Sequence, residues 1–136
     1  MLDVKVIVAA AGKGARFGGD LPKQFGLLAG KHVLYYSIKM FEACSFVSEI
    51  IVAVPEGFIE TAAGYGFSKV KHVVCGKDSR AESIYEALQK FSSGIILIHD
   101  GVRPIIKKEL IRNVSHAAFT YGAAIAAGAD PRAEAI

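Results

Sequence analysis

The alternation of short β-branched runs with amphipathic stretches predicts an α/β fold, a three-layer sandwich around a mostly parallel, Rossmann-like sheet. Three observations carry that expectation. Residues 4–10, 50–54, 70–74 and 95–98 are short and nearly continuous in apolar side chains, as strands covered on both faces are. Helix-like stretches separate them, and strands joined through helices imply right-handed crossovers and parallel pairing. The composition, 52% hydrophobic and 21% charged over 136 residues, supplies interior for one domain and is far from a disordered profile.

The elements follow in chain order. Residues 4–10 make the first strand; the apolar run is too short for a secretory leader, carries Asp3 upstream, and runs straight into a glycine loop. After that loop come a helix over 33–43, a strand over 50–54, a weaker helix near 58–63 and a strand over 70–74. The helix over 79–91 is the best signalled. Ser79-Arg80-Ala81-Glu82 has the form of a capping box, and Ile84, Ala87, Leu88 and Phe91 recur at helical spacing. A strand over 95–98, a helix over 107–121 and a further strand over 123–127 complete the series. From about residue 128 the tail, GADPRAEAI, offers neither a strand nor a capped helix and is expected to be irregular. Residues 1–136 are read as a single domain. In such sheets ligands bind beyond the carboxyl ends of the strands, so residues 9–25, 75–83 and 99–104 should gather on one edge.

The net charge of +3 is modest and spread along the chain, which makes no case for a nucleic-acid partner. Cys44 and Cys75 lie far apart without metal-ligand spacing and are read as small core residues. No apolar run approaches the ~20 residues of a spanning helix, so a soluble, cytoplasmic protein with no membrane partner is expected.

The stretch AAAGKGARFGGDLPKQF, residues 9–25, lets backbone N–H groups approach an anion without a Cβ in the way. It fails the dinucleotide pattern G-x-G-x-x-G because Phe17 stands where the third glycine belongs, which disfavours an NAD-binding protein. It also lacks the Gly-Lys-Ser/Thr ending of a P-loop. What remains is Gly12-x-Gly14-x-Arg16 followed by Pro22-Lys23. Its cations Lys13, Arg16 and Lys23 suit a nucleoside triphosphate; a solvated turn with ordinary surface cations is the alternative reading.

With two companion blocks, GKDSRAESI at 76–84 and HDGVRP at 99–104, this stretch resembles the nucleotidyltransferase superfamily. Within it, the chain is most similar to the 2-C-methyl-D-erythritol 4-phosphate cytidylyltransferase family, up to about residue 127. The resemblance implies transfer of CMP from CTP to a polyol phosphate, with Mg2+ and release of pyrophosphate, as a step of non-mevalonate isoprenoid synthesis. Ribitol-5-phosphate cytidylyltransferases and related sugar-phosphate nucleotidyltransferases look similar, and a nucleotide-binding but catalytically incomplete fragment is the rival of another class.

By the same resemblance Arg16 and Lys23 are the catalytic cations. Ala10, Ala11, Gly12, Lys13, Gly14, Gly76, Asp78 and Ser83 bind the nucleotide, with Ser83 and the backbone at Gly76 and Asp78 against the cytosine ring. Asp100 and Arg103 serve the acceptor, and Asp100 also the metal, although a turn-forming Asp before Gly101 is its plain alternative. Arg80 is expected to organise its loop, Ser79 and Glu82 to cap a helix, and His99 to be structural. Lys77 departs from the family, which has a second glycine there. The family is usually homodimeric through a projecting arm that follows this region and is missing from these 136 residues, so the acceptor site and dimer contact are expected to be incomplete.

Overall fold

The computed structural model describes residues 3–12, 21–103, 107–126 and 133–135. In chain order the elements are β1 (Val4–Ala9), a short 3-10 turn η1 (Lys23–Phe25), β2 (Leu27–Leu28), β3 (Lys31–His32), α1 (Val33–Glu42) and β4 (Val47–Val54). They continue with α2 (Ile59–Ala63), β5 (Val70–Cys75), α3 (Arg80–Leu88), β6 (Ile95–Asp100), α4 (Lys108–Tyr121), β7 (Ala124–Ala126) and β8 (Ala133–Ala135). Four strands form the main sheet in the order β5-β4-β1-β6, and every neighbouring pair is parallel.

Successive side chains of a strand point to opposite faces, and both faces of the central strands are apolar here. Val4, Val6 and Val8 of β1 pack with Leu34, Ile38 and Phe41 of α1 and Ile111 of α4. On the other face Ile7 of β1 and Ile51 of β4 meet Ala87, Ile84 and Leu88 of α3. Three layers result, as the sequence predicts. Each fully buried Val, Ile, Leu or Phe contributes about 1.5–3 kcal/mol, so the double-sided burial of β1 and β4 sets where the sheet lies.

Pairing moves several boundaries outward. β4 starts at Val47 because Val47 pairs with Val4, and β6 runs on to Asp100 because its ladder with β1 continues to Ala9. Polar His99 and Asp100 therefore belong to a strand, which hydropathy alone does not signal. The small hairpin β2–β3 turns through Ala29 and Gly30, both with positive φ (50° and 83°), a geometry that matches a two-residue turn to the strand twist.

Two expectations need correction. The tail is not wholly irregular: Ala133–Ala135 pairs antiparallel with β7, in the register Ala124↔Ala135. Backbone pairing needs no particular side chains, and alanine-rich segments carry no alternation to betray it. Cys44 is buried as expected, but Cys75 is exposed, because it ends an edge strand.

His99 lies beside α1, its ring edge-on to Phe41 with centroids 5.1 Å apart. Its Nε2–H donates to the Arg103 carbonyl at 2.9 Å, which ties β6 to the turn that follows. Ser37 on α1 donates to the Gly101 carbonyl at 3.0 Å and secures the same turn from the other side. A Cβ on Gly101 would fall 2.6 Å from the Ala10 Cβ and 3.2 Å from Leu34 Cδ1. That position admits glycine alone without a backbone shift.

Gly101→Val should therefore destabilise the fold by about 2–3 kcal/mol through overpacking, seen as a melting temperature lower by about 10 °C. Burial pushes the His99 imidazole below its usual pKa, outweighing the Arg103 carbonyl and Asp100, which pull it upward. The unfolded chain then takes up this proton more readily than the folded one, so stability is full above about pH 6.5 and falls as pH drops below it. Melting curves between about pH 7.5 and 5 should show that fall, with a shallower slope in His99→Asn.

Candidate functional site

The register of the sheet brings the strand exits to one level. Ala9 pairs with Ala53 on one side and Asp100 on the other, and Val54 pairs with Cys75. The ladder then runs one step past the strands: Ala10 N–H donates to Ala53 O at 2.8 Å, Gly76 N–H to Val54 O at 2.8 Å and Gly101 N–H to Ala9 O at 2.9 Å. At Gly76 the approach is closer still, since a Cβ there would lie 2.0 Å from the Ala11 Cβ and 3.1 Å from Ser83 Oγ. The segment after β5 thus lies directly against the segment after β1.

Between these exits opens a cleft of about 420 Å3. Of the site residues expected from the sequence, Ala10, Ala11, Gly12, Lys23, Asp78, Ser83 and Asp100 line it. Gly76 backs the wall through its contact with Ala11. Arg103 is exposed and does not line the cleft; its backbone serves the turn, the N–H donating to Asp100 O at 3.2 Å and the carbonyl accepting from His99. Lys13, Gly14 and Arg16 lie outside the described residues.

The wall contributed by α3 is held by its own first turn. Ser79 caps the helix, its Oγ accepting from Glu82 N–H at 3.1 Å, as the capping pattern predicts. Ser83 is 5% exposed, and its hydroxyl donates to Ser79 O at 3.1 Å while accepting from Lys77 N–H at 2.8 Å. This small network fixes residues 77–79 over the helix N-terminus, where the backbone dipole favours negative charge. Lys23, Lys77 and Arg80 line the cleft against Asp78 and Asp100, a balance that favours an anionic occupant.

Asp100 ends β6, with Oδ1 accepting from Val102 N–H at 3.1 Å. Among the described residues no group of three or more His, Cys, Asp or Glu is arranged to hold a metal ion, so Asp100 is not part of an all-protein metal cage there. Among those residues no helix is long and apolar enough to cross a membrane.

Four residues of the cleft lining, Ala9, Gln24, Lys77 and Val102, have no role that the sequence alone assigns, and two of them matter here. Lys77 was noted only as a departure from a glycine, yet it lines the cleft beside Asp78. Gln24 was part of the P-K-Q stretch, and nothing in its neighbours signals an inward side chain. It is 4% exposed, and its Nε2 donates to the carbonyls of Ala10 and, at 3.2 Å, Gly12.

Comparison with known proteins agrees with this architecture. A family model described as 2-C-methyl-D-erythritol 4-phosphate cytidylyltransferase (IspD) matches residues 4–130. A relative of that name from Alkaliphilus metalliredigens is 40% identical over 131 residues, covering 91% of this chain and 54% of its own length. Another, from Clostridium botulinum strain Eklund 17B, is 43% identical over 126 residues, covering 89% and 56%. Among solved structures, the 4-diphosphocytidyl-2C-methyl-D-erythritol synthase of Anaerococcus prevotii superposes with a TM-score of 0.72 at 22% identity, over 87% of this chain and 52% of that one. The 2-C-methyl-D-erythritol 4-phosphate cytidylyltransferase of Thermus thermophilus gives 0.67 at 25% identity, over 89% and 52%. The chain spans about half the length of the curated relatives it matches. On the match to residues 4–130 and these identities, the chain belongs to the 2-C-methyl-D-erythritol 4-phosphate cytidylyltransferase family.

Proposed function

We propose that this chain binds CTP in the cleft at the carboxyl edge of its sheet and supplies the nucleotide half of a cytidylyl transfer to 2-C-methyl-D-erythritol 4-phosphate. One observation carries the reading: residues 9–12, Lys23, residues 77–80, Ser83 and Asp100, far apart in sequence, line one cleft with cations on its walls. The relatives at 40% and 43% identity carry the name of that activity.

In the reaction an acceptor phosphate oxygen attacks the α-phosphorus of CTP. One P–O bond forms, the bond to the β-phosphate oxygen breaks, and pyrophosphate leaves. Such transfer is mostly positioning plus preorganised positive charge. Lys23 meets that need as a point charge on the triphosphate, and Arg16 by resemblance is its forked partner. Gly12 leaves the backbone open to phosphate oxygens, a role by resemblance also of Lys13 and Gly14. Asp100 fits a Mg2+ ion that takes most of its ligands from phosphates and water, since one carboxylate suffices for such an ion. When bound, that ion would neutralise triphosphate charge. Arg103 remains the proposed contact for the acceptor phosphate, although in this structure it stands outside the cleft lining.

Base choice has a physical basis at Ser83. Its hydroxyl proton is already given to Ser79 O and one lone pair to Lys77 N–H, so it can only accept from a ligand. The exocyclic amine of cytosine is a donor there, while the corresponding carbonyl of uracil is an acceptor. That polarity supports CTP over UTP. The match to a family named for cytidylyl transfer to a small phosphorylated polyol supports small-molecule substrates, and a cytoplasmic setting is part of the same proposal.

Calorimetric titration should give tighter binding of CTP than of UTP, and Ser83→Ala should narrow that preference about tenfold, the worth of one hydrogen bond. An unchanged CTP/UTP ratio would remove Ser83 from base recognition. With CTP, Mg2+ and 2-C-methyl-D-erythritol 4-phosphate, pyrophosphate release should be abolished in Lys23→Ala. Tight CTP binding without any release from the unaltered chain would limit its function to nucleotide binding.

A further inference from the structure

The phosphate-facing backbone after β1 and the cation Lys23 are separated in sequence by eleven positions yet line the same cleft, and one side chain joins them. Gln24 sits in η1 directly after Lys23, almost wholly buried. Its Nε2 carries two protons, and both go to main-chain carbonyls of the β1 exit, those of Ala10 and Gly12. Ala10 is itself locked to the sheet through Ala53. The amide therefore connects the rigid sheet, the glycine backbone and the segment bearing Lys23 in a single bridge. Phe25, the next residue, anchors the same turn in the core, stacked on Phe58 with centroids 4.2 Å apart.

We infer that Gln24 is a positioning residue for the nucleotide site: its paired donors hold Lys23 and the Ala10–Gly12 backbone at the separation that a triphosphate spans. The inference rests on the proposed CTP site and deepens it. The chemistry selects this residue type. Two carbonyls facing one buried side chain require a donor with two protons, which a primary amide supplies and a carboxylate of the same shape does not. A cation there would be desolvated, while an apolar side chain would donate to neither carbonyl. Lys23 is exposed and carries its own charge on a flexible stem, so its location is set by the turn that presents it. An error of about 1 Å in such a location is enough to cost catalysis about a hundredfold.

The test is a binding cycle on the full chain with CTP and Mg2+, using Gln24→Met, Lys23→Ala and the double variant, alongside melting curves. Gln24→Met should weaken CTP about tenfold when Lys23 is present and less than twofold when it is absent. Equal factors on both backgrounds would make Gln24 merely structural and overturn the inference. A second measurement needs no variant at the site. The chain has three side-chain amides, those of Gln24, Gln89 and Asn113, so Gln89→Ala and Asn113→Ala together assign their signals by NMR. The Gln24 amide protons should exchange slowly with solvent and shift on addition of CTP. Rapid exchange overturns the bridge even if Gln24→Met fails to fold. If the unaltered chain has no affinity for CTP, the cytidine reading falls separately, and the same cycle with inorganic tripolyphosphate decides the role of Gln24. Coupling to Lys23 there sustains it, and additivity or absence of binding overturns it.

Discussion

The contact on which the rest of this structure depends is the close approach of three strand exits, made possible by two missing Cβ atoms. Ala11 occupies the space that a Gly76 side chain would need, and Ala10 that of a Gly101 side chain. Small residues on both sides bring the loops after β1, β5 and β6 into direct contact. Were those backbones held apart by even one methyl group each, the walls of the cleft would separate. Double-sided burial of β1 and β4 makes the sheet rigid, and this rigidity is passed to the loops through ladder hydrogen bonds that continue beyond the strands.

Polar side chains then determine which way those loops face. Gln24 takes the carbonyls after β1, Ser83 the loop after β5, and His99 with Ser37 the turn after β6. Each of these four is buried, and among the described residues no buried side-chain nitrogen or oxygen lacks a hydrogen-bond partner. A buried polar atom without a partner costs more than a paired one contributes, so such networks admit few alternative loop arrangements. The exposed cations Lys23, Lys77 and Arg80 remain hydrated at the cleft and available to a ligand, while the groups beneath them are committed to the fold.

Much of this was legible in the chain. The β-branched runs marked the four sheet strands because a strand buried on both faces must be apolar throughout, and the Ser79–Glu82 pattern marked the start of α3 because an uncapped helix end leaves donors unpaired. The three blocks that line the cleft were legible because glycine, cations and a strand-end aspartate have local chemical meanings. Less legible were the alanine strand β8, the polar end of β6 and the exposed face of Cys75, all of which depend on which strand lies alongside, whereas β7 was expected over 123–127.

By itself, then, the sequence determined the layers, the order of elements and the kinds of side chain offered to a ligand, since periodicity and residue chemistry are local properties. Only the tertiary structure decided that Gln24 turns inward, that Ser83 is left solely an acceptor, and that Asp100 lines the cleft while Arg103 stands outside it. The reason is physical. A side chain's direction and its remaining hydrogen-bonding capacity depend on partners brought near by strand register and by glycines that permit contact, and neither is written at the residue itself.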